Sequence, residues 1–317
     1  MNYNSGMADL WNNLLASLDL RVSPHTGNTA ATEGTVAPEN APGTTVPGEP
    51  PTAFEGPNLP LNYRRLFGGQ ILGQFVRAAE LACPDKQVKS VHTLFAREGS
   101  YDEPVRYEVS CQHRGRSFAT LSILARQSAR VVASAAVSMH VAEDGPQTQH
   151  IEDVAALLAP EYRVTFDLLP WETRAFDDLN STAAAMPEYE FWMRTPTVGP
   201  ELAPALTAYA TDLNLIGTAL RPFDGVSQRG NGTAFTSAVT AHTLWFHRPF
   251  RTDDWLLLRQ HSPVVAHGRC FGRGDVLTAA GELVASFAQE ALVRFDSEAA
   301  QPVSAQAASA APAAQRG

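Results

Sequence analysis

The residues best suited to chemistry lie in the second half of the chain. The stretch Tyr209-Ala210-Thr211-Asp212-Leu213-Asn214-Leu215 sets a carboxylate inside an otherwise apolar helical pattern. Aspartate is poor in a helix interior, because its short side chain competes for backbone hydrogen bonds. Two readings fit. Asp212 caps the helix, pairs locally or faces solvent; or it faces an apolar pocket and accepts a proton from water. Gln289 closes the run Val284-Ala285-Ser286-Phe287-Ala288 and precedes Glu290. A neutral amide in a central strand is costly unless its donors and acceptor are used. It either holds a water or a substrate carbonyl, or marks an edge strand. The string His242-Thr243-Leu244-Trp245-Phe246-His247-Arg248-Pro249 alternates as a strand that ends at proline. Trp245 and Phe246 read as core or ligand-wall residues, and His242 and His247 as structural histidines or bases. Gly115-Arg116 and Gly268-Arg269 read as tight turns carrying a cation, either solvated or touching a phosphate.

Other chemistries lack their signatures. There is no Gly-x-Ser-x-Gly elbow, no His-Glu-x-x-His, and no histidine cluster at metal spacing. The three cysteines, Cys83, Cys111 and Cys270, show no Cys-x-x-Cys spacing, against a zinc site or a disulfide framework. A hydrolase made of this material must activate water directly, without metal or cofactor.

The elements that must position these residues repeat. His92-Thr93-Leu94, Gly115-Arg116-Ser117-Phe118 and Val132-Ala133-Ser134 recur in order as His242-Thr243-Leu244, Gly268-Arg269-Cys270-Phe271 and Val284-Ala285-Ser286. A duplication explains three ordered blocks better than chance does. Aligning the last block puts Val137 opposite Gln289, apolar against polar. Each copy has a helix before its strands. Ile71, Leu72, Phe75, Ala78 and Ala79 form one helical stripe after Gly68-Gly69. Tyr209, Leu213, Ile216 and Leu220 do so over 203–220. Val105 to Val109 alternates as an antiparallel strand, and Val131 to Val137 and Leu283 to Val293 suit central strands. One helix followed by several strands, twice, implies an α+β module whose sheet wraps the helix. A Rossmann fold is not expected, since βαβ alternation and a phosphate-binding glycine pattern are both missing.

With 317 residues, two domains are expected. The expected divisions are 1–53 (an amphipathic helix near 8–20 and a disordered Pro/Thr/Gly-rich insert), 54–145 (module one), 146–199 (linker), 200–296 (module two) and 297–317 (disordered tail). A net charge of −9 disfavours nucleic-acid binding. No run of 18 apolar residues suggests a membrane span, and Met1 to Leu20 lacks the pattern of a secretory signal. A cytoplasmic location is expected.

Taken together, several strings resemble the type II acyl-CoA thioesterases, a double-hotdog family. They are RLFGGQILGQ at Arg65 to Gln74, VHTLFAREG at Val91 to Gly99, GRSF at Gly115 to Phe118, YATDLNLIGTAL at Tyr209 to Leu220, HTLWFHRPFRTDDWLL at His242 to Leu257, and LVASFAQEALVR at Leu283 to Arg294. The resemblance covers about 54–296 and implies two side-by-side hotdogs, each a long helix wrapped in antiparallel sheet. It implies hydrolysis of fatty acyl-CoA to free acid and CoA, with water held by an aspartate, a hydroxyl and a glutamine. The aspartate falls on Asp212 and the glutamine on Gln289. The hydroxyl position is Val239, and a family aspartate is replaced by Ala241. Thr240 is adjacent, but strand alternation directs it away from Asp212 unless a bulge intervenes. Ser237 shares the face of Val239. The expected catalytic set is Asp212 as base with Gln289 and Thr240. The expected substrate contacts are Gly69 and Gln70 at the helix N-terminus, His242, Trp245, Phe246, Arg116 and Arg269. Exposed sheet edges imply a homo-oligomer. Two rivals are a double module that binds acyl-CoA without hydrolysing it, and a hotdog hydratase or dehydratase. The latter is disfavoured by the lack of an Asp-x-x-x-x-His string.

Overall fold

The computed structural model describes residues 3–23, 52–61 and 65–296. The expected disorder of the insert and the tail falls largely outside them. Four α-helices are described: α1 Tyr3–Leu18, α2 Gly68–Ala82, α3 Ala203–Thr211 and α4 Leu215–Leu220. The strands are β1 Arg21–Val22, β2 Thr52–Gly56, β3 Gln87–Phe95, β4 Val105–Arg114, β5 Phe118–Gln127, β6 Arg130–His140, β7 Arg163–Val164, β8 Glu172–Arg174, β9 Glu188–Arg194, β10 Phe235–Phe246, β11 Leu256–Ala266, β12 Arg269–Thr278 and β13 Leu283–Phe295. They join one antiparallel sheet in the order β1-β2-β4-β5-β6-β3-β10-β13-β12-β11-β9-β8-β7. This is the double hotdog: the modules meet where β3 pairs with β10, so the sheet runs unbroken through both.

Alternation decides what each strand buries. In β4, Val105, Tyr107 and Val109 point inward while Arg106 and Glu108 lie half-exposed, as their pattern predicts. The α2 stripe of Ile71, Leu72, Phe75, Ala78 and Ala79 is buried against that inner face. A fully buried Leu or Phe contributes about 1.5–3 kcal/mol, so this stripe seats the helix. Helix α1 packs Leu14 and Leu18 into the same core.

Three expectations need correction. First, 203–220 is not one helix. It breaks after Thr211, and Asn214 takes a left-handed conformation (φ 73°) that starts α4. Asparagine tolerates this conformation better than most residues. Gln260 of β11 pins the break: its amide donates to the Leu213 carbonyl and its Oε1 accepts from Thr218. Second, 146–199 is more than a linker. β9 pairs with β11 and extends the second sheet, with Tyr189, Phe191 and Met193 inward. The alternation of Glu188–Arg194 carried that signal. Third, the first repeat block is out of phase. His92 pairs with Thr243 on the outer face, whereas His242 is fully buried opposite Thr93. The other two blocks are in phase: Phe118 and Phe271 both face out, and Val132-Ala133 and Val284-Ala285 are both buried. The His-Thr-Leu match is slipped by one residue, which in a strand turns every side chain to the other face.

Candidate active site

The break after α3 turns Asp212 from a helix-interior residue into the C-cap of α3. There it meets the N-terminus of α2. The Gly69 N–H donates to the Asp212 carboxylate. The two helices approach this closely because α2 begins with glycines. A Cβ on Gly68 would stand 2.7 Å from Asp212 Oδ2, and one on Gly69 would collide with the Tyr209 carbonyl oxygen. Asp212 is 8% exposed, and its Oδ1 has no hydrogen-bond partner. Burial pushes its pKa up to about 7, against the lowering effect of the Gly69 N–H. A carboxylate titrating near neutrality with a free oxygen is suited to take a proton from water.

Gln289 comes from the facing sheet. It is buried on the inner face of β13, directly opposite His242 of β10. Its Oε1 lies 2.9 Å from His242 Nδ1, while its Nε2 is buried without a partner. The other ring nitrogen, Nε2, lies 3.1 Å from the hydroxyl of Thr211, the residue before Asp212. One chain of contacts thus runs from Gln289 through His242 to the end of α3. His242 is fully buried, and burial pulls its pKa down to about 4 despite the Gln289 contact. The ring is neutral, with one nitrogen donating and the other accepting. That corrects both its reading as a base and its assignment as a substrate contact, because no ring nitrogen is free.

The remaining expectations divide. A bulge does occur between Val239 and Ala241, yet it does not bring Thr240 to Asp212. The Thr240 hydroxyl donates to the Glu290 carbonyl oxygen at 3.0 Å. Glu290 alternates with Gln289 and so belongs to the outer face. Thr240 therefore leaves the expected catalytic set. Val239 pairs with buried Ala291 on the inner side, where no hydroxyl replaces it, and Ser237 pairs with Val293 along the same side. Gln70 is also corrected. Its Oε1 accepts from the Leu59 N–H, and its amide donates to Asn58 and Gln74, so its polar atoms are occupied by structure. Trp245 is 39% exposed and stacks edge-on with His92 on the outer face, opposite to His242, so it does not share a wall with it. Phe246 is half-buried against Phe250. Arg269 pairs with Glu290 at 3.4 Å on the outer face. Arg116 is exposed in the β4–β5 turn, and even β5 is separated from β10 by β6 and β3 in the sheet. Gly69 alone of the expected substrate contacts touches Asp212. Sequence reasoning missed Thr211 and Asn214. Their signal was proximity: polar residues beside a lone carboxylate in an apolar run.

Among the described residues, no group of three or more His, Cys, Asp or Glu side chains forms a metal-holding cluster. Among the described residues, no helix is long and apolar enough to cross a membrane.

Comparison with known proteins follows the two-module division. Residues 59–140 match the model of the acyl-CoA thioesterase N-terminal domain, and residues 137–293 match that of the C-terminal domain. Acyl-CoA thioesterase 2 of Haemophilus influenzae is 29% identical over 76% of this chain and 92% of its own. Human acyl-coenzyme A thioesterase 8 is 28% identical over 76% of this chain and 84% of its own. The crystal structure of an acyl-CoA thioesterase II from Mycobacterium marinum aligns with a TM-score of 0.63 at 30% identity, over 79% of this chain and 94% of that one.

Proposed function

Because this chain belongs to the acyl-CoA thioesterase family, we propose that it hydrolyses fatty acyl-CoA by direct attack of a water held between Asp212 and Gln289. The observation that carries this reading is a pair of complementary, unpartnered polar atoms. Asp212 Oδ1 is a buried acceptor and Gln289 Nε2 a buried donor, each without a partner. Leaving such groups unpaired costs about 1–3 kcal/mol each, so both are suited to a water or to the reacting groups.

In this mechanism Gln289 Nε2 donates to the water oxygen and Asp212 accepts one of its protons. The resulting hydroxide adds to the thioester carbonyl. The positive N-terminal end of the α2 dipole, which carries no side-chain cap at Phe67, stabilises the charge that develops on the carbonyl oxygen. The tetrahedral intermediate then expels the CoA sulfur, and the proton held by Asp212 passes to it. A base with a pKa near 7 both takes and returns a proton readily at neutral pH. Val239 removes one hydroxyl from the water's surroundings. Losing one such contact costs on the order of 1–3 kcal/mol, a tenfold to hundredfold slower step rather than lost chemistry.

The same reading puts the protein in cytoplasmic lipid metabolism. Three free cysteines, Cys83, Cys111 and Cys270, fit a reducing compartment. It also takes the protein as a homo-oligomer, supported by the exposed Leu94 and Trp245 on the outer sheet face. Thiol release from acyl-CoAs of graded chain length tests the activity. Turnover in the wild type that collapses in Asp212→Asn and Gln289→Ala supports the water-holding pair. Full turnover in Asp212→Asn removes it.

A further inference from the structure

We propose that His242 is a positioning residue whose ring selects the orientation of the Gln289 amide and ties that orientation to the turn carrying Asp212. This inference rests on the water-holding reading above and names the group that makes it possible. A glutamine amide turns about a broad, roughly two-fold terminal torsion. Nothing in Gln289 itself decides whether oxygen or nitrogen faces the site. The protein contact that decides is the His242 ring: its Nδ1 stands 2.9 Å from Oε1, and Nε2 of the amide is left without a partner. For Oε1 to be the bonded atom, Nδ1 must carry the proton.

That tautomer requires a donor on the other side of the ring. The imidazole is buried and neutral, so if Nδ1 carries hydrogen, Nε2 holds a lone pair. The Thr211 hydroxyl lies 3.1 Å from this nitrogen and 3.1 Å from the Ala208 carbonyl oxygen, and in the proposed arrangement its one proton goes to the ring. The ring plane is held as well. It stacks on Phe287, two residues before Gln289 on the same strand face, with centroids 6.0 Å apart and planes 15° apart. Thr211 is bonded through the backbone to Asp212. Three links therefore join the sheet residue that donates to the water with the helix end that accepts its proton. His242 touches neither water nor substrate in this scheme and acts only through Gln289.

Steady-state kinetics on one acyl-CoA, in single and double variants, tests this. In His242→Leu we expect kcat to fall roughly tenfold or more with KM nearly unchanged. His242→Asn keeps an N–H near the position of Nδ1 and is expected to recover most of that loss. In a Gln289→Ala background, His242→Leu is expected to cost nothing further, because the residue it positions is gone. Losses that multiply in the double variant, an unchanged kcat in His242→Leu, or an Asn variant as slow as the Leu one would each overturn the proposal. Should the Leu variant fail to fold, Thr211→Val keeps the side-chain volume and removes the hydroxyl. It is expected to slow kcat a few-fold in the wild type and not at all in Gln289→Ala, and an unchanged kcat in the wild-type background would count against the relay. Asp212→Asn is measured alongside: if it retains turnover, the water-holding reading itself fails, whatever the His242 variants do.

Discussion

The two modules use the same scaffold and spend their polar residues differently. In module one the first and last strands, β3 and β6, face Val91 against Val137, both buried. In module two the corresponding strands, β10 and β13, face His242 against Gln289, also buried. The helices differ in the same sense. α2 runs unbroken for 15 residues, whereas the second helix is interrupted at Asp212 to Asn214. Module one does hold a buried polar group: Gln70, Gln74 and Asn58, with the Tyr107 hydroxyl donating to Gln74 Oε1. Gln74 also donates to the Ser17 carbonyl, fastening α1 to α2. No side-chain atom of Gln70 or Gln74 is left unpartnered. In module two Asp212 Oδ1, Gln289 Nε2, Asn214 Nδ2 and the Thr207 hydroxyl are unpartnered, whereas in module one the Thr93 hydroxyl of β3 is. The lesson is that burial of polar groups alone does not mark a site. A satisfied network holds structure together, and a complementary pair of unsatisfied groups, the acceptor Asp212 Oδ1 and the donor Gln289 Nε2, is suited to receive something.

This contrast can be broken by substitution. The largest effect is expected for Asp212→Asn, with kcat down by roughly a thousandfold in a thiol-release assay, since the base is removed. Next is Gln289→Val, which gives module two the side chain of module one. It is expected to lower kcat by roughly tenfold to a hundredfold while leaving KM within a few-fold. Gln74→Leu tests the opposite claim, that module one's network is structural. It orphans the Tyr107 hydroxyl and the Ser17 carbonyl and should cost about 1–3 kcal/mol in a denaturant melt, with kcat for the folded enzyme unchanged.

The smallest effect concerns pH. The folded pKa of Asp212 is raised to about 7 from 3.8, so the fold binds this proton more tightly than the unfolded chain does. The stability this confers is complete below the unfolded value and is lost as pH rises towards 7. Asp212→Asn should therefore melt higher than the wild type by roughly 5 °C at pH 8, and show no such gain at pH 4. For the wild type, kcat should rise with pH through about 7, as the carboxylate loses its proton. A rate flat from pH 5 to 8 would remove Asp212 as the base.

Much of this was legible in the order of residues. Period-3.6 and period-2 patterns are local consequences of burying one face, so α2, β4, β6 and β13 could be read directly. The duplication was readable from blocks that kept their order, and it singled out Gln289 by contrast with Val137. The resemblance of the Tyr209 to Leu220 and Leu283 to Arg294 strings pointed to Asp212 and Gln289 together. Polar residues whose roles depend on partners far along the chain were not legible. Gln70 and His242, expected as substrate contacts, are consumed by bonds to residues 4 to 47 positions away. Trp245 and Thr240 were misplaced because one residue of register decides which face a strand side chain takes.

The sequence by itself determined the α+β class, the two modules and the side chains able to hold a water, because these follow from local patterning and residue chemistry. Only the tertiary structure decided which buried polar atoms are left unpaired. That depends on where α3 breaks, on the bulge at Thr240 and on the glycine-lined approach of α2 to Asp212. Each of these brings together groups that no local pattern connects.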